Sequence, residues 1–498
     1  MVKKSFYEIF SELNKIPRAS HHEERVADYL CDFAKNYGLQ YRRDKNNCVV
    51  IEKPATPGYE NAESVVFINH MDMVCVAKDG YLRDGRPYNP LTDEIRTYIE
   101  TDEEGVRWMK AEGTSLGADN GIGLSMALSV LSDDTIVHPA LEVLTTTNEE
   151  DGMSGAEGLS EDFIRGRKVL NLDSEAYDEI TVGAAGACLQ VGKWHLRYAE
   201  LPEGYVCQKI VMDGGLGGHS GVDINKGRCN CNHWLFGMIA NDFVDDYGEL
   251  HDVYVCHMQG GTANASIASC AEIIVAIPEE KTEWWKDYVK EFNKLLNEKF
   301  VSSDSSIKVR LEQCEGIGKY IIDGGRILRC LRCLPCGVIE MRKDMPDTVM
   351  TSNNIGKVWI ENDVLAISCH TRSFDNMEQS IESDVIHDLM IREKADEVER
   401  LMDTSSWVER EDSPLIKLTC QTFKDVLGFE PKKVAMHFVL EAAYYVKKYP
   451  GIEIASIGPK IIEPHSPSER INLDSAENIW KVVVELLKNL KKIGGGSH

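Results

Sequence analysis

Hydrophobic and polar positions along the chain change period several times, and each change marks an element. Between His22 and Leu39, Val26, Tyr29, Leu30 and Phe33 recur at helical spacing, and the run stops at Gly38, a residue suited to a helix C-terminus. The spacing predicts a surface helix over a sheet. Three runs then obey another rule. Val65-Val66-Phe67-Ile68, Leu141-Glu142-Val143-Leu144 and Lys168-Val169-Leu170-Asn171-Leu172 are strand-length and β-rich, and the first is apolar on both faces. Such runs predict buried strands of a mainly parallel sheet. Between the first two, Asp119-Asn120-Gly121 precedes Ile122, Met126, Ala127, Val130 and Leu131, an amphipathic stretch with the acidic start that a helix N-terminus favours.

From about Leu189 to Arg400 the pattern shifts to alternating strands, such as Cys207 to Met212, Glu272 to Ile277 and Val364 to Ser368, with long amphipathic pieces between them. This predicts a separate α+β domain. A charged helix is expected over Met377 to Met402. A new helix then starts at Pro414-Leu415-Ile416, with a strand at Ile452 to Ile457 and a last helix near Asn478 to Leu490. The first style resumes there, so the second domain reads as an insertion. A chain of 498 residues also exceeds what one hydrophobic core holds, about 250–300 residues. The fold class expected is α/β: a domain with a mainly parallel central sheet flanked by helices, over 1–187 and 405–493, plus an inserted α+β domain over 188–404. The closing GGGSH at 494–498 reads as a tag remnant.

Composition narrows the function classes. A hydrophobic content of 43% and a charged content of 27% exclude a disordered chain, and a formal charge of −26 argues against nucleic acid and anionic membrane as partners. Glu8 interrupts the apolar N-terminal stretch, and no run reaches the roughly 18 apolar residues of a membrane span. Fifteen cysteines without a secretory signal point to reduced thiols and a cytoplasmic location. No solenoid period or low-complexity stretch occurs.

In an open parallel sheet, ligands gather beyond the carboxyl ends of the strands. Each predicted strand here leads into metal-capable side chains: His70 and Asp72 after the first, Glu149 and Glu150 after the second, and Asp173 after the third. His465 comes after the late strand, and Asp119 stands at the start of the intervening helix. Alone, each such Asp or Glu reads as a helix cap or turn former. Together, His70, Asp119, Glu150, Asp173 and His465 give mixed nitrogen and oxygen ligation suited to zinc, with manganese or cobalt as alternatives, and carboxylates that bridge permit two divalent ions. Asp72 lies two residues from His70 and is placed to accept its second ring N–H. Glu149 diverges from its neighbour Glu150, and is read as the general base.

The stretches HMDMV, GADNGIGL, TTTNEEDGMSG, NLDSE, GGHSG and EPHSPSERIN together resemble the M20-type metallopeptidases, in particular their aminoacyl-histidine dipeptidase branch, over nearly the whole chain. The resemblance implies cleavage of dipeptide amide bonds, of Xaa-His or other unblocked dipeptides. It implies one metal on His70 and Asp173, another on Glu150 and His465, and Asp119 bridging them. Glu149 takes a proton from the attacking water and returns it to the leaving nitrogen. The inserted domain becomes a lid, with His219 stabilising the oxyanion and Arg372 gripping a substrate carboxylate. For His219 the alternative is a turn residue among glycines, and for Arg372 a surface salt bridge. A homodimer is expected.

Two stretches depart from the family pattern. The family's substrate loop reads GGT, two residues, then Asn-Ala-Ile-Pro, whereas here Asn264 is shifted within Gly260 to Ala268 and the proline is missing. His437 to Ala443 keeps the His and the Glu441 of a HAGLECG pattern but fills both glycine positions with side chains. Asn264 and Glu441 are carried as substrate-binding candidates. An N-acyl amino acid deacylase on the same metals, and a catalytically silent metal or peptide binding protein, are the competing readings. Cys330, Cys333 and Cys336 form C-x-x-C-x-x-C without a fourth cysteine at the expected spacing and are read as buried thiols. The glycines at 214–218 lack a phosphate-loop ending, and neither a nucleophile elbow at a strand-to-helix turn nor H-E-x-x-H occurs.

Overall fold

Strands that bury both faces must be covered on both sides, and the apolar runs are arranged that way. The structure, a computed structural model, describes residues 3–410 and 412–493; the expected tag remnant at 494–498 lies outside the described residues. The chain divides into two compact units.

The first unit comprises the described residues up to Gly183, Val408–Ala435, and those from Glu441 on. Its sheet runs in the order Gln40–Arg43, Val49–Lys53, Leu141–Thr146, Val65–His70, Lys168–Asn171, Glu453–Ser456, Glu179–Ala184. The four strands from Leu141–Thr146 to Glu453–Ser456 are mutually parallel, and their outer neighbours are antiparallel. Every position of Val65–His70 and Leu141–Thr146 is buried, as the apolar run Val65 to Ile68 requires of the first. Helices Phe6–Leu13, Glu24–Asn36, Ala118–Ser132, Pro414–Leu427 and Leu473–Asn489 complete this core. In register, Val65 pairs with both Leu141 and Lys168, His70 with Thr146 and Ile68 with Asn171, so the parallel strands end within two residues of one another along one edge.

The second unit comprises Ala184–Trp407 and Met436–Leu440. Its antiparallel sheet runs Lys308–Cys314, Tyr205–Asp213, Ala271–Pro278, Tyr254–Gly260, Val349–Glu361, Val364–Ser373, Gly186–His195, Glu397–Thr404. Helices Cys231–Phe243, Thr282–Phe300, Gly324–Cys333 and Asn376–Arg392 pack on it around a core of its own. The compact units break at Gly183 and Trp407 rather than at 187 and 404, and Met436–Leu440 groups with the second unit instead of with the surrounding sequence.

The charged helix expected over Met377 to Met402 is corrected by the structure. It spans only Asn376–Arg392. Lys394 takes a left-handed conformation (φ 69°) and Ala395 N–H donates to the Met390 carbonyl at 2.9 Å, closing the helix end. The rest of the charged stretch, Glu397–Thr404, becomes the last strand beside Gly186–His195. Its acidic residues hid a strand period that only the neighbouring strand makes favourable.

Candidate metal centre

The strand ends of the first unit bring six titratable side chains to one place. Three sets of donor atoms each fall within 4.8 Å: His70, Asp119 and Asp173; Asp119, Glu150 and His465; and His70, Glu149 and Glu150. The first two share Asp119. Its Oδ1 lies 3.1 Å from His70 Nε2, and its Oδ2 lies 3.1 Å from His465 Nε2. Asp173 is 3.4 Å from His70 Nε2, and Glu150 is 2.9 Å from His465 Nε2. Each imidazole therefore points one nitrogen between two carboxylates, and Asp119 stands between the two groups.

Local structure explains how Asp119 reaches this position. It falls inside Ala118–Ser132, but its backbone is extended (φ −80°, ψ 116°), which turns the carboxylate out of the helical path. Gly117 before it is left-handed (φ 67°), and a Cβ there would meet the Arg18 guanidinium and Met73. Glu469 holds the turn from outside: its carboxylate accepts the backbone N–H groups of Leu116, Gly117 and Ala118 at 2.7–2.9 Å. Buried Arg18 donates to the carbonyls of Met71 (3.3 Å), Asp72 (3.1 Å) and Gly117 (2.6 Å), tying the His70 strand end to the Asp119 turn. Sequence reasoning missed both residues. Glu469 lies within the EPHSPSERIN stretch and had a signal there; nothing around Arg18 distinguishes it.

Asp72 holds more than the sequence suggests. The nearest acceptor to His70 Nδ1 is the Asp72 carbonyl at 3.1 Å, with the Asp72 carboxylate at 3.4 Å. That carboxylate accepts from Ser20 Oγ (2.8 Å) and from the backbone N–H groups of Glu149 (3.1 Å) and Glu150 (3.2 Å). Asp72 thus fixes the imidazole and the acidic pair together. Asn120 Nδ2 donates to Asp173. Glu441 sits in the same unit, buried, with Oε2 accepting from Tyr445 OH (2.7 Å) and Thr146 Oγ1 (3.0 Å) and Oε1 unpartnered.

Crowded carboxylates reshape one another's protonation. Burial pushes Glu149 well above the ordinary carboxylate range; His70 opposes this, while Asp173, Glu441 and Glu150 add to it. Burial likewise raises Asp173 to about 6 against the pull of His70, and Glu441 to about 7. Hydrogen bonds to Asp119 and Glu150 lift His465 to about 11. For His70, burial works against the proton, but Asp173, Asp119 and Asp72 outweigh it and hold the imidazole well above its usual value. Four carboxylates and two imidazoles share the cluster, and a buried Glu150 oxygen has no hydrogen-bond partner. This donor set fits divalent cations, which would satisfy the orphaned oxygen and neutralise the surplus charge.

The second unit holds a cluster of opposite character. Arg372 is buried, and its guanidinium contacts only Ser220 Oγ (3.2 and 3.4 Å) and His370 Nδ1 (3.4 Å). Among the described residues it has no carboxylate partner, so the surface salt bridge considered from sequence is not what it makes. His219 Nδ1 accepts from the backbone N–H groups of Gly221 and Val222, both at 3.2 Å. Its proton therefore resides on Nε2. Burial, with help from Arg372, lowers His219 to about 4 and keeps that ring neutral. His437 bonds Ser352 Oγ at 2.7 Å, and burial lowers it to about 3. Asn264 lies on the loop that faces His219, where Ala265 O accepts Ser220 N–H at 2.8 Å and Ser266 bridges His219. Its side chain makes no hydrogen bond among the described residues. Cys330 is packed in the core of this unit, Cys333 is exposed and Cys336 is half-buried.

Comparison with known proteins places this arrangement. The cytosol non-specific dipeptidase of Escherichia coli is 32% identical over 97% of this chain and 97% of its own length. The crystal structure of the aminoacylhistidine dipeptidase from Vibrio alginolyticus superposes with a TM-score of 0.85 at 30% identity, covering 97% of this chain and 96% of that one. A tripeptidase from Staphylococcus aureus shares the fold alone, with a TM-score of 0.55 at 14% identity, over 99% of both chains. The sequence model of Peptidase family M20/M25/M40 matches residues 66–489. On this match, and on a donor cluster that fits divalent metal, the chain belongs to Peptidase family M20/M25/M40 and is a metal-dependent hydrolase of peptide bonds.

Proposed function

We propose that this protein is a dipeptidase of the cytoplasm that uses two divalent ions, zinc first, held by His70 and Asp173 on one side and Glu150 and His465 on the other, with Asp119 between them. The observation that carries the reading is Asp119 itself, whose two oxygens lie 3.1 Å from two different imidazoles. When bound, the ions lower the pKa of a water and polarise the scissile carbonyl. Glu149, which burial holds well above the ordinary carboxylate range, takes that water's proton and returns it to the leaving nitrogen. Asp72 keeps Glu149 in reach by accepting its backbone N–H and keeps His70 turned toward the cluster.

Substrate recognition is proposed from what remains unpaired. The free Oε1 of Glu441 suits a substrate ammonium, which favours unblocked dipeptides over N-acylated amino acids. In the second unit, the Nε2–H of neutral His219 suits an oxyanion, the uncompensated Arg372 suits a carboxylate, and the free amide of Asn264 suits a substrate carbonyl. The test is a panel of Xaa-His and other dipeptides against N-acetyl amino acids, with chelator and with added metal. Chelation is expected to abolish cleavage and zinc to restore it. Faster turnover of the acetylated compounds would replace this reading with a deacylase, and no turnover of either with metal bound would replace it with a binding protein.

A homodimer is proposed from the second unit. Met377, Ile381 and Val385 recur every fourth residue on Asn376–Arg392 and are 73%, 54% and 52% exposed. The neighbouring strand Glu397–Thr404 ends the sheet and exposes Leu401. An apolar stripe beside an open strand edge suits a second copy of the chain. Sedimentation should give a dimer, and Ile381→Glu should give a folded monomer; a monomeric parent chain would dismiss the idea.

A further inference from the structure

The second unit carries a cleft that the hydrolytic chemistry does not use. It lies where Cys231–Phe243 ends and Thr282–Phe300 begins, and it encloses about 480 Å³, within the range of small-molecule sites. Trp284 and Tyr288 stand one turn apart on the same helix face, with rings 5.1 Å apart and inclined by only 15°. Phe243 meets Trp284 edge-on at 6.1 Å and stacks on the fully buried Trp285 at 4.9 Å, which forms the floor. Trp284 nevertheless stays 50% exposed.

Carboxylates rim these rings. Asp242 accepts from Tyr288 OH at 2.5 Å, which fixes its position against the aromatic wall. Asp252 pairs with Lys281 at 2.8 Å, and Glu280 also lines the cleft. Three carboxylates against one ammonium leave two net negative charges beside electron-rich ring faces. An anionic or purely apolar ligand would desolvate the carboxylates without return. A bare metal ion finds too few ligands, because these acids form no close donor group among the described residues. An organic cation gains from both features, by cation–π attraction to the rings and by charge from the rim.

We propose that this cleft binds a small organic ammonium ion against the stacked Trp284–Tyr288 pair, facing the carboxylates of Asp242 and Glu280. The cleft uses none of the candidate metal donors.

The test uses the full chain labelled with 5-fluorotryptophan, its Trp284 resonance identified by Trp284→Phe. Choline is the cationic probe and 3,3-dimethylbutan-1-ol its uncharged isostere, with ionic strength held constant by sodium chloride. Choline is expected to shift the Trp284 resonance saturably, and the isostere to bind about tenfold more weakly. The surface double variant Asp242→Asn, Glu280→Gln should weaken choline by a similar factor and leave the isostere unchanged, with dipeptide turnover equal to the parent. Equal binding of choline and isostere, no saturable shift with choline, or undiminished choline binding in the double variant would each overturn the proposal.

Discussion

The two units solve opposite electrostatic problems. The first gathers Asp72, Asp119, Glu149, Glu150 and Asp173 around two imidazoles, an excess of acceptors with one buried oxygen left without a donor. The second buries Arg372 beside His219, His370 and His437 with no carboxylate among the described residues to balance it. Neither cluster is a sensible way to stabilise a fold, because buried charge without its counterpart is costly. On the function proposed above, the missing partner comes from outside, a cation for the first and an anion for the second.

That contrast breaks most severely at Glu149. Glu149→Ala is expected to retain metal, measured by elemental analysis, while losing about 10²–10⁴-fold in kcat, the range general acid–base catalysis supplies. A variant within a few-fold of the parent would remove Glu149 from the chemistry. Arg372→Met tests the opposite cluster. It should lower kcat/KM by roughly thirtyfold or more, as the loss of a buried partner for a charged group does. Its melting temperature should not fall, since no carboxylate is orphaned. A drop in stability with unchanged kinetics would make Arg372 structural.

The smallest effect is a pH dependence of the second unit. Burial lowers His219 to about 4, His437 to about 3, and His370 well below its ordinary value. Each is neutral in the folded state where the unfolded chain, with pKa about 6.5, takes up a proton. Stability is therefore full above about pH 6.5 and is lost as pH falls toward the folded values. At pH 5 the loss is on the order of 2 kcal/mol for buried His437 and smaller for half-buried His219, where solvent screens the charge, read as a fall in the melting temperature. Flat stability between pH 7 and 5 would mean these rings are not held neutral.

The sequence by itself determined the two-domain α/β organisation, because apolar runs of strand length and runs of helical period differ in spacing whatever they pack against. It also named the candidate metal donors, because His70, Glu150 and Asp173 stand at or just past the ends of strands whose parallel arrangement brings those ends to one edge. Tertiary structure decided the rest. Glu397–Thr404 is a strand only because Gly186–His195 lies beside it, and Met436–Leu440 joins the second unit through packing that no local pattern encodes. Arg18 and Glu469 act on backbone groups 54 and 352 residues away, and a hydrogen bond to a peptide leaves no mark on the identity of the residue that receives it. A side chain that is itself the ligand is legible in a sequence, whereas one that holds the backbone of another is legible only in the fold.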